Sequence, residues 1–211
     1  MSQSDLIYIV VPFVIVLASL TVHEAAHAVT ADWLGDPTAR MLGRVSLNPV
    51  VHIDPIGTLL LPLISAVSHL PIIGWAKPVP VNISRLRGGR QGFVVVAAAG
   101  PLSNIGLAVI AAIIARVLPA PTEFSESLLT PTNILYAAAT LNLYLAMFNL
   151  IPVPPLDGGN VLAGLLPRSA AAAFDSLRPY GFVVLYALMF TGIIPRLIGP
   201  PTFYLRGLLF P

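Results

Sequence analysis

Cysteine is absent from the 211 residues. That excludes disulfides and thiolate metal sites, so any bound metal has to use imidazole and carboxylate ligands. Charge is scarce too, with Asp, Glu, Lys and Arg making up 9% of the chain. An ordinary soluble domain carries about 25%, so that class is excluded. The net charge is only +2 and the basic residues are scattered. This excludes the basic stripe that nucleic-acid binding requires. Internal repeats and low-complexity segments are also missing.

What is present is apolar: 56% of residues are hydrophobic and the mean hydropathy is +0.87. The composition points to an all-α polytopic membrane protein. The length suits one domain, residues 1–211, with about four to six transmembrane helices. The chain also holds 21 Pro and 16 Gly. So many predict broken helices and irregular backbone at membrane depth, which is stable only inside protein or facing water.

The first apolar run, Leu6 to about Leu34, carries His23-Glu24-Ala25-Ala26-His27 toward its C-terminal end. Residues four apart share a helix face, so His23 and His27 can offer adjacent positions of a tetrahedral Zn²⁺. Glu24 can hold or deprotonate a metal-bound water. The plainer alternative is a pair of His residues hydrogen-bonded to neighbouring spans. Polar groups in an apolar helix are costly unless they bind something. A catalytic zinc needs a third protein ligand and one open position. Asp157 is the best candidate, since no other acid lies between Glu126 and Asp175. Pro152, Pro154 and Pro155 bar a regular helix before it, and Gly158-Gly159 lets the backbone turn behind it. Alternatively, Asp157 caps a helix beginning near Asn160.

Between the first two long spans, Gly35–His52 reads as a loop, Thr58–Leu70 as an apolar run broken by Pro62, and Gly74–Asn82 as extended chain. Arg85, Arg87 and Arg90 form a basic loop. Further spans are read at Gln91–Leu118, Thr132–Leu150 and Tyr180–Ile198. Pro119–Pro131 forms a loop, Val161–Ala173 a short helix bent or broken at Pro167, and Gly199–Pro211 an apolar tail. Eight of the 11 basic residues fall on one side if Thr58–Asn82 is re-entrant. Basic loops are retained in the cytoplasm. The expected topology is a multi-pass cell-membrane protein with its N-terminus outside and its active site opening toward the cytoplasm.

HEAAH in the first span, Ala-Gly-Pro-Leu-Ser-Asn at Ala99–Asn104 and Asn149-Leu-Ile-Pro-Val-Pro-Pro-Leu-Asp-Gly-Gly159 together resemble the site-2 protease family of intramembrane zinc metalloproteases. Asn48-Pro49, His52–Gly57 and Gly74–Asn82 resemble a compact branch of it. The resemblance covers essentially the whole chain. It implies one zinc per chain bound by His23, His27 and Asp157, with Glu24 as general base. It also implies cleavage of a membrane-protein or transmembrane-peptide substrate within the lipid bilayer (regulated intramembrane proteolysis). The PDZ and CBS modules of some members are not seen here, so their means of selecting substrate do not carry over. Assembly as an oligomer is compatible with the sequence.

Asn149 and Asn104 are candidate partners for the oxyanion, or else interhelical hydrogen-bonding residues. Trp75, Lys77, Pro78, Val79, Pro80 and Val81 are candidate substrate-binding residues, with the extended segment adding to the substrate as a strand. Pro78 and Pro80 remove N–H groups from one edge, leaving the other free to pair. His52 and Asp54 are either a further polar constellation or a local cap. His69 reads as structural, and Trp33 and Trp75 as interfacial anchors. Two other functions compete with the peptidase reading: a metal-binding membrane transporter and a non-catalytic membrane scaffold. A transporter would string polar sites across the bilayer, often in repeated halves, whereas the ionisable residues here cluster near one face.

Overall fold

The computed structural model describes residues 3–68, 74–118 and 130–210. His69 and most of the Pro119–Pro131 loop lie outside them. Among the described residues the chain is helical throughout and forms no strand.

Helix α1 (Gln3–Trp33) holds the HExxH motif. A short helix, α2 (Thr38–Met41), follows. A π-helical turn at Pro55–Leu60 runs into α3 (Leu61–Ser68). The chain then comes back beside itself as extended backbone over 74–82. Trp75 N–H donates to Gly57 O at 3.1 Å, Lys77 N–H to His52 O at 2.9 Å, and the Thr58 hydroxyl to Trp75 O at 2.8 Å. The turn and α3 together rise only about 20 Å, too short for ~30 Å of hydrocarbon. The re-entrant geometry read from the sequence matches this doubling back.

Helix α4 (Arg90–Val117) is the centre of the molecule and packs against α1, α5 (Pro131–Asn149) and α6 (Asp157–Leu165). Its buried face is built from small residues, Ala97, Gly100, Ala108, Ala111, Ala112 and Ala115. Small residues let backbones approach closely where lipid supplies no hydrophobic drive between helices. The large apolar side chains point outward instead: Ile9, Val10 and Val14 on α1, Leu102, Ile110 and Ile113 on α4. In a membrane that face meets lipid.

Thr130 caps α5 by accepting from Asn133 N–H, with Pro131 in the first turn. The expected Val161–Ala173 helix is two helices, α6 and α7 (Arg168–Asp175), parted at Leu166-Pro167. The expected Tyr180–Ile198 span is likewise broken. Helix α8 (Gly181–Phe190) meets α9 (Ile193–Leu209) at Thr191-Gly192, where Gly192 has φ 71° and the axis turns by 75°. The apolar tail is therefore part of α9, and Leu205, Leu209 and Phe210 pack on the α4–α5 cluster. Among the described residues two helices, at Tyr8–Trp33 and Arg90–Val117, are long and apolar enough to cross a membrane, or three if the bent pair counts as one. Helix α5 has the length, but Asn133, Asn142 and Asn149 dilute its hydropathy.

Candidate metal centre

Three side chains distant in sequence meet at the core. Asp157 Oδ2 lies 3.1 Å from His23 Nε2 and 3.3 Å from His27 Nε2, and the two Nε2 atoms are 3.1 Å apart. The His spacing follows from the helix: one turn of α1 stacks the rings edge to face, with centroids 4.7 Å apart. Asp157 arrives from the other side because α6 begins there. Leu156 is the cap residue and Asp157 itself makes no capping bond, so the cap alternative does not hold. The glycines behind it work by space, not by a special φ, since both sit within α6. A Cβ on Gly158 would fall 2.2 Å from Leu150 O.

The other ring nitrogens fix each imidazole. His27 Nδ1–H donates to Val96 O and His23 Nδ1–H to Asn104 Oδ1, both at 2.7 Å. With the proton on Nδ1, each Nε2 presents a bare lone pair. Asp157 Oδ2 is buried and receives no hydrogen bond. Three acceptors thus converge with no donor among them, an arrangement that a cation satisfies. A tetrahedral zinc with bonds near 2.0–2.1 Å holds its ligand atoms about 3.3–3.4 Å apart, close to the separations seen. Gly100 of α4 completes the cradle: a Cβ there would lie 2.3 Å from His27 Nε2 and 2.6 Å from His23 Nε2. Those are close to metal–nitrogen distances, so the Cβ would intrude where an ion bound to both nitrogens belongs. The residues fit zinc, and two His with one carboxylate leave one position open. Among the described residues this is the one group of three or more metal-binding side chains close enough to share an ion.

The cluster sits in the wall of a cavity of about 980 Å³. Glu24 lines it beside His23, buried, and its carboxylate makes no hydrogen bond or ion pair among the described residues. Asn149 lines it too, with Nδ2 bonded back to Leu145 O at 2.9 Å. Asn104 does not. It is fully buried, its Oδ1 accepts from His23, and its Nδ2 donates to Asn142 Oδ1 at 2.9 Å. The oxyanion role expected for Asn104 is replaced by holding His23 in place. Asn142 extends this chain of hydrogen bonds; the sequence shows it seven residues before Asn149 on one face of the third span but assigns it no role. The available signal was a second Asn deep in an apolar helix, which needs a partner there.

Trp75, Pro78, Val79 and Val81 line the same cavity, whereas Lys77 and Pro80 do not. Trp75 packs on Gly57 and lies 5.5 Å from the Phe182 ring, so it is a wall residue and not an interfacial anchor. Trp33 is 68% exposed, with Arg87 stacked over it at 5.9 Å. The edge expected to be free for pairing is in use at Trp75 and Lys77, whereas Val79 and Val81 make no backbone hydrogen bond among the described residues. Trp75 and Lys77 spend both backbone groups on Gly57, Thr58, His52 and Arg44. By alternation, the outward edge is that of Ala76, Pro78 and Pro80. It offers carbonyls and only one N–H.

Asp54 caps the π-helical turn by accepting from Ile56 and Gly57 N–H at 3.0 and 2.7 Å. His52 is buried and its Nε2–H donates to Ser46 O at 2.8 Å. Neither joins the metal cluster.

Fold and site together define a membrane-embedded protein with a buried His–His–Asp centre of the kind hydrolytic zinc enzymes use. Residues 126–191 match the model of peptidase family M50. YwhC of Bacillus subtilis, provisionally named a zinc metalloprotease, is 36% identical over 193 residues, covering 90% of this chain and 85% of its own length. Rip2 of Mycolicibacterium smegmatis, named in the same provisional way, is 29% identical over 191 residues, covering 87% of this chain and 70% of its own. Rip2 of Mycobacterium tuberculosis is 30% identical over 188 residues, 87% of this chain and 66% of its own. No solved structure matches the chain. The chain belongs to peptidase family M50, the site-2 proteases, and is a membrane protease of the zinc metalloprotease class.

Proposed function

We propose that the chain is an intramembrane endopeptidase that hydrolyses peptide bonds in or near the transmembrane segments of other membrane proteins, as in regulated intramembrane proteolysis. The observation that carries this reading is the junction of a catalytic zinc-type donor set with a long apolar cavity. Pro12, Phe13, Val16, Leu17 and Leu20 continue the wall from His23 along α1. Pro12 to His23 is about 16 Å of helix. A water-soluble peptide has no use for so apolar a channel; a transmembrane segment does.

His23, His27 and Asp157 hold the ion, and Asn104 and Val96 O orient the two rings. Zinc, when bound, polarises a carbonyl and makes water a nucleophile near neutral pH. Glu24 takes the proton of the attacking water and delivers it to the leaving amine nitrogen. The Asn149 carboxamide, on the same wall, donates to the carbonyl oxygen that gains charge. The 74–82 segment holds the unwound substrate alongside, with the Ala76 and Pro78 carbonyls accepting substrate N–H groups. In this reading the N-terminus faces outside and the cavity opens toward the cytoplasm.

Glu24→Gln tests the mechanism. It is expected to keep its zinc and to lose cleavage of a transmembrane peptide by about 10²–10⁴-fold, the typical contribution of a general base. Cleavage at the wild-type rate would remove Glu24 from the mechanism. Zinc retained in a wild type that cleaves no membrane substrate would favour the scaffold.

A further inference from the structure

The cavity is not uniform along its length. At the α1 end its walls are Pro12, Phe13, Val16 and Leu17, joined elsewhere by Phe93, Phe148 and Phe182. Near the metal cluster the wall carries Asn160, one turn beyond Asp157, and Arg178. Arg178 is the one cation among the described lining residues. It is tethered: Nη1 donates to Asn160 Oδ1 at 2.9 Å and Nε to Asp175 Oδ1 at 2.8 Å. A guanidinium has five N–H donors, so three have no partner among the described residues. Asp175 is not part of the cavity wall, whereas Arg178 is. The side chain is 41% exposed, so it stands at the rim and not in the dry interior.

We propose that Arg178 is a specificity residue that reads an acidic side chain on the substrate, where its apolar run meets its polar flank. This rests on the intramembrane peptidase reading and names the substrate class: transmembrane segments flanked by Asp or Glu at the end that leaves the cavity past α6. Two tethers hold the guanidinium with its remaining donors preorganised, and a carboxylate accepts from such a fork in bidentate fashion. A Lys or Arg at the same place meets like charge, which discriminates by repulsion as well as attraction.

The experiment uses full-length, zinc-loaded protein in detergent. The probes are three fluorescent peptides with one apolar run and Asp, Asn or Lys at its polar end. Cleavage kcat/KM is measured with Arg178 intact and with Arg178→Gln and Arg178→Glu. Kd is measured in the Glu24→Gln background with the same three side chains at position 178. The expected result is a preference for Asp over Asn of about fivefold, the upper range for a partly exposed pair. That ratio should fall to about one in Arg178→Gln and turn to favour Lys in Arg178→Glu. The reversal is a readout that a merely structural role for Arg178 would not give. The same Asp/Asn ratio in all three proteins overturns the inference, whether or not they cleave. Charge-selective binding that follows residue 178 without cleavage by any active-site-intact protein would keep the inference and overturn the peptidase reading.

Discussion

A single methyl group separates this chain from one that cannot hold the ion. Gly100 has no metal-binding atom, yet its Cβ position falls between the two imidazole nitrogens. A Cβ there would collide with both imidazoles and fill the space that an ion bound to them would need. Gly100→Ala is expected to reduce zinc to below about a tenth of a mole per chain with helical circular dichroism unchanged. Wild-type zinc in that variant would contradict the geometry. At this scale the sequence was partly legible. His23, Glu24, His27 and Asp157 stood out because the spacing is helical and because acids are so rare in the apolar segments. Asn104 was legible as a polar group needing a partner. Which partner it takes depends on the rotation of α4 against α1, and one sequence does not carry that. Gly100 was visible only as part of a motif; its role appears once α4 is packed on α1.

Between elements, the feature that shapes the cavity is the 74–82 segment. No strand pairing holds it; two backbone bonds, to Gly57 O and His52 O, and a set of side chains do. Arg44, buried, donates to Val51 O and Lys77 O. Asp36, just past α1, accepts from Asn82 N–H at 2.6 Å and from the Thr38 amide and hydroxyl. Burial pushes the Asp36 carboxyl up. The bonds from Thr38 and Asn82, with Arg85 nearby, outweigh it and hold the group below the usual carboxylate range. A depressed carboxylate stabilises the fold fully above its unfolded value, about 4, and loses that contribution as pH falls through its folded value. Asp36→Asn should therefore lower the thermal midpoint at pH 6, and the difference from wild type should shrink below about pH 4. A gap that stayed constant from pH 7 to pH 3 would contradict the tie. The extended character of this segment was legible from its prolines. Which edge faces the body was not, because it depends on Gly57 and His52 across the turn. Nor was the break at Gly192 legible, since the flanking residues are apolar on both sides.

At the scale of the whole molecule, several of the described charged residues gather at one end. The C-terminus of α1 and the N-terminus of α4 lie together, with Arg40 on Asp32, Arg87 on Trp33 O and Arg90 on Ala163 O. Basic residues gathered at one end place that end in the cytoplasm under the expected topology. Because the chain has no cysteine, single substitutions report without background. Leu47→Cys should react with an impermeant maleimide only from the cytoplasmic side, and Val117→Cys only from the other. The reverse pattern would invert the orientation. The proposed active site joins α1 to α6, with α4 behind it, so it depends on the fold being assembled as described. The measurement that tests this most directly is zinc per chain in purified, detergent-solubilised protein, wild type beside Asp157→Ala. It needs no substrate. One zinc is expected in the wild type and clear loss in the variant. Equal zinc in both would show that Asp157 is not a ligand, and the metal centre described here would be wrong.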